Sequence, residues 1–334
     1  MIRAGIIGLG MMGRCHYAGW DAIEGAEVTA IADTDPKRAG GDLSGGWSNI
    51  DGGAEAFDME RITGTTDPLE LIGMEDVDVV DVCVPTPFHA ELAIAALEAG
   101  KHVVCEKPLA RTAAQAQEIV AAAEKAQGLF MPAMCIRFWP QWAWLKGVIE
   151  AGTYGPVRGA TFRRVAAMPP GWFSDADMSG AAALDLHLHD TDFVHYLFGV
   201  PKAVQSRGYT KTTDGVDFIM TQYLYDDGPL VSAEGGWCLA DGADFSMRYT
   251  VNFASATADY DMARDDPLVV ASGGEKEAVT CDAVDGYFAE LAYMAECITS
   301  GTAPAIVTAA QAAESIRIVE AEVQSVQTGQ VVEL

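Results

Sequence analysis

The order of apolar and polar positions in the first part of the chain predicts strands alternating with helices. Short apolar or β-branched runs predict buried strands, and longer stretches with helical spacing predict the helices between them. The predicted strands are 2–7, 28–32, 77–84 and 101–105, and the predicted helices are 11–23, 89–99 and 112–127. Residues 40–60, which are rich in Gly and Asp, predict a loop or an irregular helix. Strands and helices that alternate in this way form right-handed βαβ units, so we expect a parallel sheet.

The pattern changes beyond about residue 130. Apolar and polar residues alternate imperfectly along the extended segments, and Gly, Asp and Pro turns separate these segments. The pattern favours a large, open, mostly antiparallel sheet with one covered face. The extended segments are 157–165, 202–209, 216–225, 230–237 and 246–253, and the predicted helices are 139–151, 185–198, 283–299 and 309–327. We therefore predict an α/β protein of two domains, residues 1–128 and residues 129–334.

The predicted uncovered face of the second sheet suggests self-association. We place Ile219, Tyr223 and Tyr225 on that face, among polar residues. Because an exposed apolar sheet face is normally a partner surface, we expect a homodimer or homotetramer built on the second domain.

Composition and charge narrow the function classes. The 334 residues are 50% hydrophobic, which suits two folded cores, and the formal net charge is −27. Such a surface repels nucleic-acid phosphates and anionic lipids, and no apolar run is long enough to span a membrane. The seven cysteines lack metal or disulfide spacing. We therefore predict a cytoplasmic protein with no nucleic-acid partner, no membrane segment and no metal.

The sequence Gly8-Leu-Gly10-Met11-Met12-Gly13 directly follows the first strand and opens a helix. This GxGxxG pattern is typical of a dinucleotide-binding turn, in which the pyrophosphate lies at the helix N-terminus.

An acidic residue supports that interpretation. Asp33 ends the second strand about 20 residues beyond the motif, where a carboxylate accepts hydrogen bonds from the adenosine ribose and repels a 2′-phosphate. The cofactor predicted is NAD, with NADP possible because Lys37 and Arg38 lie nearby. His16, one turn past the glycines, is predicted to lie on the helix surface.

Two further motifs follow predicted strands at their carboxyl ends. Pro85, Thr86 and His89 come after strand 77–84, and Glu106 and Lys107 come after strand 101–105. In an open α/β sheet the ligand crevice lies along those ends, so we assign these residues to cofactor binding. A lysine there can exchange a proton if its neighbours lower its pKa, although a surface ion pair with Glu106 is the simpler interpretation.

A later helix carries two carboxylates and a histidine on one face. Asp185 and His189 are one turn apart, and Asp192 follows almost one turn later. A carboxylate beside a histidine can orient its ring for general acid–base chemistry. The alternatives are a helix N-terminus with ordinary capping, or a metal site from the same side chains.

These motifs together resemble the Gfo/Idh/MocA oxidoreductase family, which includes glucose–fructose oxidoreductase and inositol dehydrogenase. The resemblance implies a Rossmann domain over 1–128, followed by a substrate-binding and oligomerisation domain. By position it implies that Lys107, Asp185 and His189 are catalytic and bind substrate, and that Asp192 is the acidic residue that follows them. His187 departs from the small residue that family members commonly have two positions after the aspartate. Residues 181–183 also replace part of a glycine-rich run with alanine.

The resemblance also implies substrate contacts from two aromatic segments. Arg137 and Trp139 open the second domain, and Trp172 precedes the helix of the catalytic aspartate. Trp172 would stack on a sugar face and Arg137 would bind hydroxyl or carboxylate groups, whereas core packing is the alternative for the aromatics.

The function predicted is NAD(P)-dependent hydride transfer between nicotinamide and a hydroxyl or carbonyl carbon. The substrate predicted is a small polyhydroxylated molecule, namely a sugar, a sugar derivative or a cyclitol. Two alternatives stay open at this point: a glycoside hydrolase that retains NAD, and a non-catalytic ligand sensor of the same fold.

Overall fold

The computed structural model describes residues 1–44 and 57–334, so much of the loop predicted for 40–60 lies outside the described residues. The chain forms two compact units. Unit 1 comprises Met1–Phe138 and Val284–Ala313, and unit 2 comprises Trp139–Ala283 and Glu314–Leu334. This division differs from a single boundary at residue 128, because a carboxy-terminal segment returns to the first unit.

Unit 1 is built on a six-stranded parallel sheet with the strand order β3-β2-β1-β4-β5-β6. Its elements up to residue 138 are β1 (Ile2–Ile7), α1 (Met11–Ala22), β2 (Ala26–Ala32), α2 (Pro36–Ala39), β3 (Thr63–Thr65), α3 (Pro68–Ile72), β4 (Val79–Val82), α4 (His89–Glu98), β5 (His102–Glu106), α5 (Ala113–Ala123) and β6 (Phe130–Ala133). Since all six strands run parallel, the loops after β1, β2, β4 and β5 lie at one edge of this sheet, as the sequence predicts.

Unit 2 contains a nine-stranded sheet with the order β14-β13-β12-β11-β7-β10-β9-β8-β15. All neighbouring strands are antiparallel except β7 and β10, which pair in parallel. The elements are α6 (Pro140–Glu150), β7 (Val157–Val165), α7 (Ala176–Ser179), α8 (Leu188–Phe198), β8 (Ala203–Tyr209), β9 (Phe218–Leu224), β10 (Leu230–Gly236), β11 (Ser246–Phe253), β12 (Ala256–Asp261), β13 (Leu268–Ser272), β14 (Glu275–Ala278) and β15 (Val332–Glu333). The prediction of a mostly antiparallel second sheet is confirmed, although strands β12 to β15 were not expected.

Two long helices complete the chain. Helix α9 (Gly286–Ser300) belongs to unit 1, where its Leu291 packs so closely on Gly19 of α1 that a Cβ at that glycine would be 2.7 Å from Leu291. Helix α10 (Ala309–Thr328) enters unit 2 from Glu314 onward. The close approach of α9 to α1 explains why this late segment of the chain belongs to unit 1.

Aromatic side chains fill the covered side of the second sheet. Trp142 of α6 is fully buried, and its ring centroid lies 4.8 Å from that of Phe193, 5.1 Å from Tyr249 and 5.9 Å from Phe162. Helices α6 and α8 are held to strands β7 and β11 by these contacts, each of which removes a large apolar surface from water.

The expected exposed apolar face is wrong for two of its three residues. Ile219 and Tyr223 are 0% and 2% exposed, because they face the covered side of β9. Ile219 packs with Ala183 and with residues of α10, and the exposed positions of β9 are Met220 and Gln222. Side chains alternate along a strand, so covering Ile219 turns its neighbours to solvent. The homo-oligomer stays a prediction and no longer has this support.

Candidate active site

The glycine motif forms the turn between β1 and α1, and its three glycines meet different steric demands. Gly8 has a left-handed φ of +92°, and a Cβ there would lie 2.7 Å from a backbone carbonyl oxygen just after β4. A Cβ on Gly13 would lie 1.9 Å from the carbonyl oxygen of Gly8. Around Gly10 no non-neighbouring atom of the described residues lies within 4 Å of a Cβ. Met11 and Met12 open α1 beside that space, so their N–H groups are placed to meet a pyrophosphate.

Asp33 ties the turn to the end of β2. Its carboxylate accepts hydrogen bonds from the backbone N–H groups of Leu9 and Asp35, both at 2.9 Å. Arg38 lies 3.8 Å from the same carboxylate, close enough to weaken its repulsion of a 2′-phosphate. The position and the fixed carboxylate fit an adenosine ribose, which is the role that the sequence predicts for this residue.

The loop after β4 is held by His89. Pro85 leads into a short 3₁₀ turn that begins at the buried Thr86. The Nδ1 atom of His89 lies 2.8 Å from the carbonyl oxygen of Pro108, and Nε2 lies 2.7 Å from that of Val84. Burial lowers the pKa of His89 below its ordinary value of 6.5. Since both ring nitrogens face backbone carbonyls, the imidazole joins the loops after β4 and β5, and its geometry favours positioning over direct contact with a cofactor.

The loop after β5 carries the Glu-Lys-Pro motif. Glu106 is buried at the end of the strand, and its Oε2 accepts a hydrogen bond of 2.9 Å from the backbone N–H of Lys107. The peptide bond between Lys107 and Pro108 is cis. Lys107 is partly exposed and leaves β5 at the same sheet edge as the glycine turn and Asp33.

Behind this edge lies a buried cluster of ionisable groups that the sequence analysis did not find. His16 is fully buried, so its expected place on the helix surface is wrong. Its Nδ1 lies 2.9 Å from Asp81, which also accepts a 2.8 Å hydrogen bond from Trp20 Nε1. Its Nε2 lies 3.2 Å from Glu106 and 3.9 Å from Glu290. The one sequence signal for this cluster is Asp81, a charge within an apolar strand.

The charges in this cluster favour an imidazolium. Burial opposes the charged form of His16, but the charge and hydrogen bond of Asp81 outweigh it and raise the pKa of His16 well above 6.5. Burial also raises the pKa of Glu290 well above 4.5. Donor atoms of His16, Glu106 and Glu290, and of His16, Asp81 and Cys83, lie within 4.8 Å of one another, a spacing that suits a divalent cation. Because the imidazolium already supplies positive charge there, we assign no metal.

We expect the protein to lose stability as the pH rises from about 6 to about 8. The folded state binds the His16 proton more tightly than the unfolded chain, so this contribution is complete below pH 6.5 and disappears as the pH rises through the folded pKa. Glu290, whose folded pKa is also raised, acts in the same direction. Urea unfolding at several pH values should show that the free energy of unfolding depends less on pH in His16→Gln than in the unaltered protein. His102→Gln is the control, because burial lowers the pKa of His102 and its loss should change the slope in the opposite direction. An unchanged profile in His16→Gln would contradict the assignment.

In unit 2 the residues Asp185 and His189 lie on consecutive stretches of one helical segment. Asp185 is 7% exposed and lies in a wide π-helical turn, Ala183–His187, which leads directly into α8. His189 is the second residue of α8 and is partly exposed. The sequence predicts a regular helix from residue 185, so the π turn is a correction. Four residues make nearly one turn of a π-helix, which keeps the two side chains on one side.

The other acidic residues of α8 have structural partners. Asp192 is 1% exposed and accepts a 2.8 Å hydrogen bond from Ser315 Oγ, which lies 3.1 Å from His195 Nδ1. Asp190 is fully buried and accepts a 2.9 Å hydrogen bond from Arg164 Nε. These contacts join α8 to α10 and to β7, and they fix the helix that carries His189.

The other predicted substrate contacts are Arg137, Trp139 and Trp172, and they differ in burial and in the groups that they contact. Arg137 is 2% exposed, and its Nη1 donates to a backbone carbonyl at 2.8 Å and to Gln311 Oε1 at 2.7 Å. Trp139 is partly buried just before α6, and Trp172 stacks on Phe173 with ring centroids 4.2 Å apart. The bonds of Arg137 tie the turn that follows β6 to the start of α10, which gives this side chain a structural role that the sequence did not predict.

The first unit thus has the fold and turn of a nucleotide-binding oxidoreductase domain. A family model described as "Oxidoreductase family, NAD-binding Rossmann fold" matches residues 2–134. The model of the "GFO/IDH/MocA C-terminal domain" matches residues 142–258. The chain therefore belongs to the Gfo/Idh/MocA oxidoreductase family, and its first domain is the NAD-binding domain of that family.

Relatives of known activity are similar over part of the chain. Levoglucosan dehydrogenase of Pseudarthrobacter phenanthrenivorans is 33% identical over 61% of this chain and 53% of its own length. Inositol 2-dehydrogenase 2 of Paenarthrobacter aurescens is 35% identical over 60% of this chain and 56% of its own length. The chain thus matches little more than half the length of these relatives.

A solved structure shows the same fold over nearly the whole chain. A levoglucosan dehydrogenase in complex with NADH and levoglucosan superposes with a TM-score of 0.86, with 24% identity and 99% coverage of both chains. No helix among the described residues is long and apolar enough to cross a membrane.

Proposed function

We propose that the protein is a dehydrogenase that moves hydride between nicotinamide and a hydroxyl-bearing carbon of a sugar, a sugar derivative or a cyclitol. The observation that carries the proposal is the Asp185–His189 pair on one side of a buried helical segment, in a chain with an NAD-binding domain. Relatives named for levoglucosan and inositol support the substrate class, because both compounds present several ring hydroxyls.

The proposed roles follow from the chemistry of each side chain. His189 takes the proton from the reacting hydroxyl, and Lys107 donates a hydrogen bond to the same oxygen. Asp185 orients the imidazole and stabilises its charged form. Held by the glycine turn and Asp33, NAD would supply the hydride acceptor for this carbon. In the reverse direction His189 returns the proton to the carbonyl oxygen.

The glycine turn and Asp33 hold the cofactor in this proposal. The open space at Gly10 suits the pyrophosphate, and Asp33 suits the ribose. We further propose Trp139 and Trp172 as substrate contacts, since half-buried aromatic rings bind the apolar face of a sugar well.

A substrate screen tests the proposal. Sugars, anhydrosugars, inositols and uronic acids are each incubated with NAD and with NADP, and the absorbance of the reduced nicotinamide is followed. Turnover of at least one polyol with reduction of NAD is the expected result. Cleavage of a glycoside without net NADH would instead identify an NAD-retaining hydrolase, and binding without turnover would identify a sensor.

We infer that the protein works in a reducing compartment such as the cytoplasm and that it forms a homodimer or a homotetramer. The seven cysteines form no disulfide, which suits a reducing compartment. The wide second sheet, whose Met220 is 52% exposed, is the surface we assign to self-association.

We expect NAD to bind more tightly than NADP, and Asp33→Asn to reduce that preference by about tenfold or more. The amide oxygen can still accept the N–H of Leu9, whereas the amide nitrogen that replaces the other oxygen faces the N–H of Asp35 and loses that bond. The substitution removes the charge that repels a 2′-phosphate. Calorimetric titration with both cofactors measures the ratio. Asp35→Asn is the matched control, because Asp35 caps α2 nearby and also carries one charge. Tighter binding of NADP by the unaltered protein would show that Arg38 dominates.

A further inference from the structure

The helical segment that carries Asp185 has an unusual backbone. Gly180 and Ala181 both have left-handed φ angles, +82° and +57°, and one residue, Ala182, separates them from the π turn Ala183–His187. A left-handed alanine and a π turn are each less stable than regular helix, and such features persist where surrounding contacts enforce them. The contacts that enforce this backbone therefore decide where Asp185 points.

Some of these contacts lie before the turn. Ser179 is fully buried, and its Oγ accepts a 3.0 Å hydrogen bond from the backbone N–H of Ala181. The backbone N–H of Ala183 donates to the carbonyl oxygen of Val216 at 3.1 Å. These bonds hold the first residues of the segment and leave its last residue, His187, to be held from elsewhere.

His187 is held by the sheet and by α10. The imidazole is fully buried. A Cβ placed on Gly235 of β10 would lie 2.6 Å from Nδ1 of His187 and 3.0 Å from Cβ of His187. The ring thus fills the space that any other residue at position 235 would occupy. Its Nε2 lies 3.4 Å from Glu322 Oε2 of α10. Neither ring nitrogen has a hydrogen-bond partner among the described residues, so the fit of the ring and the facing Glu322 carboxylate hold it in place.

Glu322 also holds the next turn of the helix. Thr191, one turn after His187, donates its hydroxyl proton to the Glu322 carboxylate at 3.1 and 3.2 Å. The hydroxyl of Tyr223 lies 3.0 Å from Thr191 Oγ1. One buried carboxylate therefore contacts both the end of the π turn and the first regular turn of α8, on either side of His189.

We propose that His187, Glu322 and Gly235 form a positioning set that fixes the π turn, and with it the directions of Asp185 and His189. The proposal rests on the proposed function, in which those two residues are catalytic. His187 acts through the backbone and does not touch substrate. It stands where the family resemblance implies a small residue, and the glycine at 235 provides the volume that its ring needs.

Glu322→Gln is the first test. The amide keeps the size of the carboxylate and still accepts from Thr191, but it lacks the charge that faces His187. We expect kcat to fall about 10- to 100-fold through misplacement of the catalytic pair, with NAD affinity unchanged. Ser325→Ala is the matched control, since Ser325 is also buried on α10 and its hydroxyl bonds the backbone of Ser206 and of Gln330. It should lower the melting temperature and keep kcat within about twofold.

A double mutant tests the fit between ring and glycine. Gly235→Ala alone should lower both the melting temperature and kcat, because its methyl group overlaps the imidazole. In a His187→Ala background the same methyl group fills the vacated space, so Gly235→Ala should then raise the melting temperature while kcat stays low. Recovery of kcat in the double variant would overturn the proposal, because filled volume alone would then suffice.

Amide hydrogen exchange separates this proposal from the proposed function. Exchange over residues 183–189 should become faster in Glu322→Gln and stay unchanged in Ser325→Ala, whatever reaction the protein catalyses. Faster exchange in a protein that reduces no nicotinamide would support the positioning set and refute the dehydrogenase. Unchanged exchange and unchanged kcat in Glu322→Gln, in an active enzyme that His189→Ala inactivates, would refute the positioning set alone.

Discussion

Replacing His189 with alanine is expected to lower kcat by about 10²–10⁴-fold, the usual contribution of a positioned proton acceptor. NAD affinity should change little, because the cofactor is assigned to the glycine turn and Asp33. His195→Ala is the control on the same helix, since His195 contacts Ser315 and has no proposed role in the reaction. That variant should lose stability without a specific loss of turnover. Steady-state kinetics and calorimetric NAD titration on folded protein measure both quantities.

The same experiment extends to the two other residues of the proposed catalytic set. Lys107→Ala should also lower kcat strongly, whereas Lys125→Ala, at an exposed position of unit 1, should not. Asp185→Asn keeps the shape of the side chain and removes its charge, so turnover should suffer more than substrate binding. The double variant Lys107→Ala/His189→Ala should lose less than the sum of the single effects in free energy, because residues that act as a unit are not additive.

A kcat of His189→Ala within a few-fold of the unaltered enzyme would refute the assignment of the general base. His187 would not replace it, since that ring is fully buried against Gly235 and Glu322. Additive effects of Lys107→Ala and His189→Ala would show two independent contributions in place of one proton-handling unit.

The parts of the fold that local pattern determines could be predicted from the sequence. The β-branched run around Val79–Val82 predicts a strand, and the glycine turn predicts the start of a helix. The structure has both, as β4 and α1. Parallel pairing then follows from the alternation of strands and helices. The places of Asp33 and Lys107 follow too, because each directly follows a strand of that sheet, and their roles stay predictions.

The errors concern contacts between residues far apart in the chain. Ile219 lies on the covered face of its strand because α10, about a hundred residues later, packs there, and a period-two pattern fits either face equally. His16 is buried because Asp81 and Glu290 reach it from other elements. The π turn before α8 depends on Glu322 and Gly235, which no local helix signal reports.

The second prediction of a large effect concerns the glycine turn. Alanine at Gly13 and alanine at Gly10 should change the stability of the protein by different amounts. Gly13→Ala is expected to destabilise the protein by about 3 kcal/mol or more, because its Cβ would lie 1.9 Å from the carbonyl oxygen of Gly8 and α1 would have to move. Since the turn is part of the cofactor site, NAD binding should be lost along with stability. Urea unfolding without cofactor measures the first effect, and calorimetry measures the second.

Gly10→Ala is the matched comparison, because its φ of −73° suits alanine and its Cβ would meet no non-neighbouring atom of the described residues. The loss of stability without cofactor should be about 1 kcal/mol or less, the cost of alanine in place of glycine at a helix N-cap. NAD affinity should nevertheless fall by about tenfold or more, because the methyl group would occupy the space assigned to the pyrophosphate. Equal losses of stability in the two variants would contradict the steric account of Gly13. Unchanged NAD affinity in Gly10→Ala would place the pyrophosphate outside the open space beside Gly10.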